Sequence, residues 1–191
     1  MIVGDINTFA IESEIYKAYK NLGFRALGFF VVYIKSHQYG IREENATLLA
    51  CAYDETKRRL QNRGKHIAPF IAGRCGGDII DSIMEAVYDP APKRDTIWGM
   101  PLETLGNIVD ASQCEWHRCC DEAFDDGSCL LQFDVGDTVR LIANLPPKSS
   151  TNLKHDPKTL QDITIEATVF YNTLNVWLQK FEAEWEASPK S

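Results

Sequence analysis

The residues of this chain that could do chemistry are densest between positions 114 and 129, where Cys114, His117, Cys119, Cys120 and Cys129 offer soft metal ligands. A structural zinc site usually draws on two separated pairs, such as two Cys-x-x-Cys knuckles, and adjacent Cys119 and Cys120 do not easily face one ion. Buried or incidental thiols are therefore the expectation, and no metal is. A cysteine or serine nucleophile needs a base within hydrogen-bond reach and a third group to orient it. The histidines His37, His66, His117 and His155 are scattered, and no Gly-x-Ser-x-Gly elbow or Cys-Gly-x-Cys-Trp signature is present. A small hydrolase or transferase using a Cys and His pair, and a metal-dependent binding module on the 114–129 cysteines, stand as the alternatives to a non-enzymatic protein.

The run Ala72-Gly73-Arg74-Cys75-Gly76-Gly77 precedes a helix and could offer backbone amides to an anion. It lacks the Lys-Ser/Thr completion of a phosphate loop, and Asp78 stands at the helix start, so a turn with a self-capped helix is expected and no cofactor is. Asp121, Glu122, Asp125 and Asp126 lack the spacing of a calcium loop. With Trp98 and Trp116, they are instead candidates for contact with a protein partner, because aromatic residues dominate binding hot spots and an acidic patch attracts a basic surface. Solvated loops for the acids and local packing for the tryptophans are the plainer readings.

Charge points the same way. Residues 1–95 carry 13 Lys+Arg against 12 Asp+Glu, and residues 96–191 carry 7 against 15, so the net −7 belongs to the second half. Between Asp110 and Asp137 stand eight carboxylates and one basic residue, Arg118. Such a field repels nucleic acid and favours a basic protein as partner. With 45% apolar and 25% charged residues the chain is expected to fold unaided, as one domain over residues 1–191. The start Met1-Ile2-Val3-Gly4-Asp5 lacks the basic and apolar segments of a signal peptide, and no stretch reaches the length of a membrane span. A cytoplasmic protein with reduced thiols and no membrane partner is expected; oligomeric state is left open.

The elements that must position these residues follow from periodicity. Phe9, Ile11 and Ile15 alternate, and Phe29-Phe30-Val31-Val32-Tyr33-Ile34 is aromatic and β-branched, which predicts two paired strands and a further short one near Ile41. Asn45 is placed to cap a helix over 45–63, on Ala46, Leu49, Tyr53 and Leu60. A second helix begins near Asp78, with Ile80, Ile83, Met84 and Val87 on one face, and must stop before Asp89-Pro90. The prolines and glycines of 89–113 predict an irregular connector holding Trp98. Segments 129–133 and 138–143 flank a turn at Asp134-Val135-Gly136-Asp137 and predict a hairpin. A surface loop over 144–158, a short strand at 162–165 and a helix over 168–186 capped by Thr168 complete the chain. The fold class expected is α+β, a mostly antiparallel sheet of the amino-terminal strands and the 129–143 hairpin, backed by two or three amphipathic helices.

Three segments together carry a family resemblance: the opening Met1-Ile2-Val3-Gly4-Asp5-Ile6-Asn7-Thr8-Phe9-Ala10-Ile11-Glu12, the acidic hairpin from Asp125 to Ile142, and the helix holding Phe170-Tyr171, Trp177, Phe181-Glu182 and Trp185. In order and spacing the chain resembles immunity protein family forty-two of bacterial polymorphic toxin systems. The resemblance implies a small α+β protein, encoded beside a toxin of a contact-dependent inhibition or type VI secretion system. It implies that the protein binds and neutralises the cognate toxin domain in the cytoplasm, and it brings no catalytic residues.

Overall fold

The computed structural model describes residues 1–116, 118, 121–147 and 154–191. The first sheet begins with β1 (Ile2–Asp5), β2 (Phe9–Ala18), β3 (Ala26–Ile34) and β4 (His37–Tyr39), paired antiparallel in chain order, and β5 (Thr47–Leu48) pairs with the other end of β3. Between β3 and β4 the chain reverses through Lys35 and Ser36, both at positive φ (48° and 65°) without a glycine. That strain is supported by the preceding turn: Lys35 N–H donates to the Thr8 carbonyl at 3.1 Å and Ser36 N–H to that of Ile6 at 2.8 Å.

Helix α1 spans Leu49–Gln61. The expected start at Asn45 gives way to a later one, because Thr47 and Leu48 are held in register with Gly28 and Leu27 of β3. Helix α2 (Gly76–Ile83) continues as a wider π-helical turn over Met84–Tyr88, and it buries Ile79, Ile80 and Ile83. The irregular connector expected over 89–113 is also replaced. Strands β6 (Thr96–Ile97) and β7 (Met100–Pro101) make a small hairpin, and α3 spans Leu102–Ser112. Two of its helix breakers are placed where they do no harm: Pro101 precedes the first helical residue, and Gly99 (φ 78°) supplies the turn. Gly106 inside α3 costs about 1 kcal/mol relative to alanine, and its neighbours Leu105 and Val109 offset this by full burial.

Strands β8 (Cys129–Val135), β9 (Thr138–Asn144) and β10 (Gln161–Glu166) form a second sheet, in the order β10-β9-β8, and α4 (Ala167–Ala187) closes the chain. The 129–143 hairpin thus does not join the amino-terminal strands, as expected, but has its own sheet. Its strand runs through Asp134, which was expected in the turn and is instead buried. Thr168 lies inside α4 and caps nothing; Ala167 N–H is taken by the Asp137 carbonyl at 2.9 Å. Of the 144–158 loop, residues 148–153 lie outside the described residues.

The main core fills the space between the two sheets. Phe9, Ile11, Phe30 and Val32 from the first meet Leu130, Val139 and Leu141 from the second, with Phe170, Trp177 and Phe181 of α4 among them. Trp177 is fully buried and its indole N–H is satisfied by the Ser13 hydroxyl at 3.0 Å. On the other face of the second sheet, Leu131, Phe133 and Ile142 pack against α2 and α3. The alternation of β8 thus feeds both cores, and the sheets and helices form one α+β domain.

Candidate functional site

The expected contact residues divide once placed. Trp116 is a correction: it is 0% exposed, so it is a core residue and no surface anchor. Its indole N–H donates to Gln132 Oε1 at 3.1 Å, and its ring lies against Phe30 and under the Arg59 guanidinium, 4.6 Å from the ring centre. Trp98 is half-buried at the tip of the β6–β7 hairpin, stacked on Phe70 at 5.2 Å and donating to Asp78 Oδ2 at 3.1 Å. Glu122 is exposed yet fastened to the fold, accepting Leu48 N–H at 3.0 Å ahead of α1. Asp126 accepts Ser128 N–H at 2.9 Å and Gly40 N–H at 3.2 Å. Asp125 is exposed, and the side chain of Asp121 lies outside what is described.

The groups that suggested chemistry are likewise placed in part. His117, Cys119 and Cys120 lie outside the described residues; among those described, no three His, Cys, Asp or Glu side chains gather as a metal site. Cys114 and Cys129 are buried, whereas Cys51 and Cys75 are exposed. Burial pushes the Cys114 thiol up to about 12, which keeps it protonated and a poor nucleophile at neutral pH. In the glycine run, Gly76 N–H donates to Asp162 Oδ2 at 2.9 Å. Asp162, which Arg140 holds at 2.7 Å, therefore occupies the start of α2, where Asp78 was expected to be the cap.

A buried polar network ties α1, β8 and α4 together. Arg59 pairs with Glu55 at 2.6 Å and donates to Gln132 Oε1 at 3.1 Å. Gln132 Nε2 donates to the Tyr171 hydroxyl at 3.0 Å, and that hydroxyl donates to Asp134 at 2.6 Å. Asp134 also accepts the backbone N–H of His66 at 3.0 Å. These groups satisfy one another away from solvent, and their evident work is to fix the elements in place.

The outer face of the first sheet is apolar at its centre and closed to solvent there, with Phe29 2% and Val31 0% exposed. Alternation points Ile11, Phe30 and Val32 into the core, and Ala10, Glu12, Glu14, Tyr16, Phe29, Val31 and Tyr33 the other way. Arg42 reaches from the 40–46 loop over the Phe29 ring, 5.3 Å from its centre, and donates to Glu12 at 2.8 Å, while the Tyr33 hydroxyl donates to the same carboxylate at 2.7 Å. Burial works to raise Glu12, but these bonds outweigh it and hold the carboxyl below its ordinary range. Burial and Glu12 together push the Tyr33 phenol up to about 12. Tyr16, 44% exposed, lies against Phe29, and Ile2, 47% exposed, stands on the neighbouring strand. The signal for this face was the unbroken run Phe29–Ile34, which makes both faces of β3 apolar where an ordinary antiparallel strand alternates. A second surface feature is an open groove of about 640 Å³ between α1 and α4, lined by Arg63, Val169 and Asn172 among others.

Among the described residues the fold is thus that of an α+β protein with three antiparallel sheets, the smallest of them the β6–β7 pair, and four α-helices. The family model described as Immunity protein 42 matches residues 1–180, and the chain belongs to that family. Among solved structures, the crystal structure of CdiI from Burkholderia dolosa AUO158 is similar at a TM-score of 0.60 and 14% identity, over 94% of this chain and 99% of that one. At that identity the likeness is one of fold. No curated protein gives a significant sequence match. Among the described residues, no helix is long and apolar enough to cross a membrane.

Proposed function

We propose that the protein binds a cognate toxin domain as a stoichiometric, non-enzymatic inhibitor in the cytoplasm of the producing cell. The observation that carries this reading is membership of the immunity family over residues 1–180. Fold likeness to the protein named CdiI favours a contact-dependent inhibition system over type VI secretion as the setting. The net charge of −7 makes a basic toxin the best-matched partner, because opposite fields speed encounter and disfavour wrong partners. Asp125, with Glu122 and Asp126 beside it and Asp121 just before, contributes to that field, and half-buried Trp98 is a further contact candidate. Nucleic acid, which an anionic surface repels, is not a partner in this reading.

The test is co-expression with the toxin domain encoded beside this protein, followed by purification and an assay of toxin activity with and without it. A one-to-one complex that silences the toxin is the expected result. A toxin that stays active in the presence of excess protein overturns the reading.

A further inference from the structure

We propose, resting on the immunity reading, that the toxin docks on the free edge of β10, and that the docking part of the toxin is an extended segment that adds a fourth strand to the second sheet. The register of β10 on β9 fixes which groups are free. Ala167 N–H donates to the Asp137 carbonyl, so Ile165 and Ile163, two and four residues back, are the ones that exchange hydrogen bonds with β9. The backbone N–H groups of Asp162, Thr164 and Glu166, and the carbonyls of Asp162 and Thr164, therefore point off the sheet. Among the described residues no other segment takes them: β10 pairs with β9, and no further backbone bond reaches its outer side. Such a row is a template for one more strand, whose main chain supplies the matching donors and acceptors.

The other edges of the two main sheets are covered, broken or short, which sets β10 apart. The outer side of β8 is covered: Trp116 N–H donates to the Leu130 carbonyl at 2.9 Å, and Gln132 and Asp134 donate to the carbonyls of Cys114 and His66, each at 2.8 Å. Edge strand β1 is kinked at Gly4, φ 100°, and β4 is three residues long. By contrast β10 runs six residues in unbroken register, Gln161-Asp162-Ile163-Thr164-Ile165-Glu166. Its centre is β-branched, and it has no lysine, proline or bulge to discourage a neighbour. Its acids guard it weakly, because Asp162 is engaged by Arg140 and by Gly76 N–H, which leaves Glu166 at one end. Thr164 is exposed, and Ile165, on the core side, is only partly covered. A toxin strand with an apolar residue beside Ile165 and a polar or basic one beside Thr164 or Glu166 fits both sides of this edge. A second copy of this chain fits it less well. In one two-fold register that matches the free groups, Asp162 stands opposite Glu166 of the other copy; in the next, Gln161 stands opposite Ile165, and Glu166 opposite Leu160.

The experiment uses the full chain and the purified toxin domain encoded beside it. Backbone amide exchange is followed by NMR in the free protein and in the complex, and affinity is measured for the unaltered protein, Thr164→Pro and Ile2→Pro. Thr164→Pro removes an N–H that points off the edge, so the β9–β10 ladder keeps its bonds. Ile2→Pro does the same on β1, where the bond from Ser13 N–H to the Met1 carbonyl turns Ile2 outward. Thermal unfolding by circular dichroism confirms that both variants are folded. In the expected result the amides of Asp162, Thr164 and Glu166 exchange fast in the free protein and about tenfold or more slower in the complex, whereas those of Ile163 and Ile165 are slow in both. Thr164→Pro weakens binding about tenfold or more, and Ile2→Pro leaves it within about twofold. A complex in which those three amides exchange as they do in the free protein overturns the docking assignment and leaves the immunity reading standing, whether or not Thr164→Pro folds. A loss of binding confined to Ile2→Pro moves docking to β1 and overturns the assignment as well. If the three amides are already slow in the free protein and sedimentation finds a dimer, the edge serves self-association and the assignment is wrong. Absence of binding by the unaltered protein removes the immunity reading itself, and the assignment with it.

Discussion

Replacing Trp116 with phenylalanine separates a core role from a contact role, and the structure sets the size of the effect. The indole is fully buried and donates to Gln132 Oε1 at 3.1 Å, a bond worth about 1 kcal/mol net. Gln132 is not stranded by its loss, because Arg59 Nη1 donates to the same oxygen at 3.1 Å. Phenylalanine keeps an aromatic face for the Arg59 guanidinium and for Phe30, so stacking is weakened rather than abolished. Trimming the larger ring in a packed core costs a further ~1–2 kcal/mol, a fraction of the full truncation to alanine. The sum, about 2–3 kcal/mol, is a drop of roughly 1 M in the urea midpoint for a chain of this size. Against a stability of about 5–15 kcal/mol the variant stays folded. Urea unfolding followed by circular dichroism gives the midpoint, and titration with the toxin domain gives affinity, which is expected to remain within twofold. The reasoning fails if affinity drops tenfold while the midpoint does not move, because a side chain with no exposed surface cannot lose a contact to a partner.

Gly28→Ala is expected to be far worse than its size suggests: a Cβ there would lie 1.9 Å from the Glu14 carbonyl oxygen across the β2–β3 pair. A cost of about 3 kcal/mol or more follows, and an unchanged melting temperature would contradict it. His66 is held below its ordinary value of 6.5 by burial and then by the charge of Arg59. The unfolded chain therefore takes up that proton first, so the contribution is fully present above about pH 6.5 and is lost as pH falls toward the folded-state value. In His66→Asn the decline of the urea midpoint between pH 7 and 5 should be shallower, and an identical slope would refute the assignment. Among the described thiols, Cys51 and Cys75 should alkylate in the native protein, and Cys114 and Cys129 only on unfolding, as read by peptide mass mapping. Rapid native labelling of Cys114 would reopen the nucleophile reading. Asp125→Lys, at an exposed position, is expected to slow toxin association about twofold to fivefold at low salt and much less at high salt; a rate change that salt does not diminish would exclude steering.

How much was legible in the sequence depends on what each signal reports. The apolar periods of 28–35, 129–143 and 168–186 are local, and the elements built from them stand within a few residues of expectation: β3, the β8–β9 hairpin and α4. Which strands share a sheet is a long-range matter on which a period of two says nothing, so the two sheets were read as one. Helix α3 was hidden by its punctuation, because Pro101 and Gly106 argue against a helix unless one knows that the first stands before its start and the second sits among buried neighbours. Asn45 failed as a cap because Thr47 and Leu48 had a better alternative in the edge of β3.

The acidic stretch gives the sharper lesson about function. Counting carboxylates over Asp110–Asp137 treats each as facing water, yet Asp134 is buried under Tyr171, Glu122 holds the chain ahead of α1, and Asp126 holds the end of β4. Glu115 is 3% exposed. A carboxylate that accepts backbone N–H groups has its field partly spent inside the molecule, and a partner approaching from solvent feels less of it. The formal charge of −7 therefore overstates the local attraction at the 110–137 segment. On the outer sheet face Glu14 and Glu44 are exposed, but so is Lys17, and the Phe29 ring is buried.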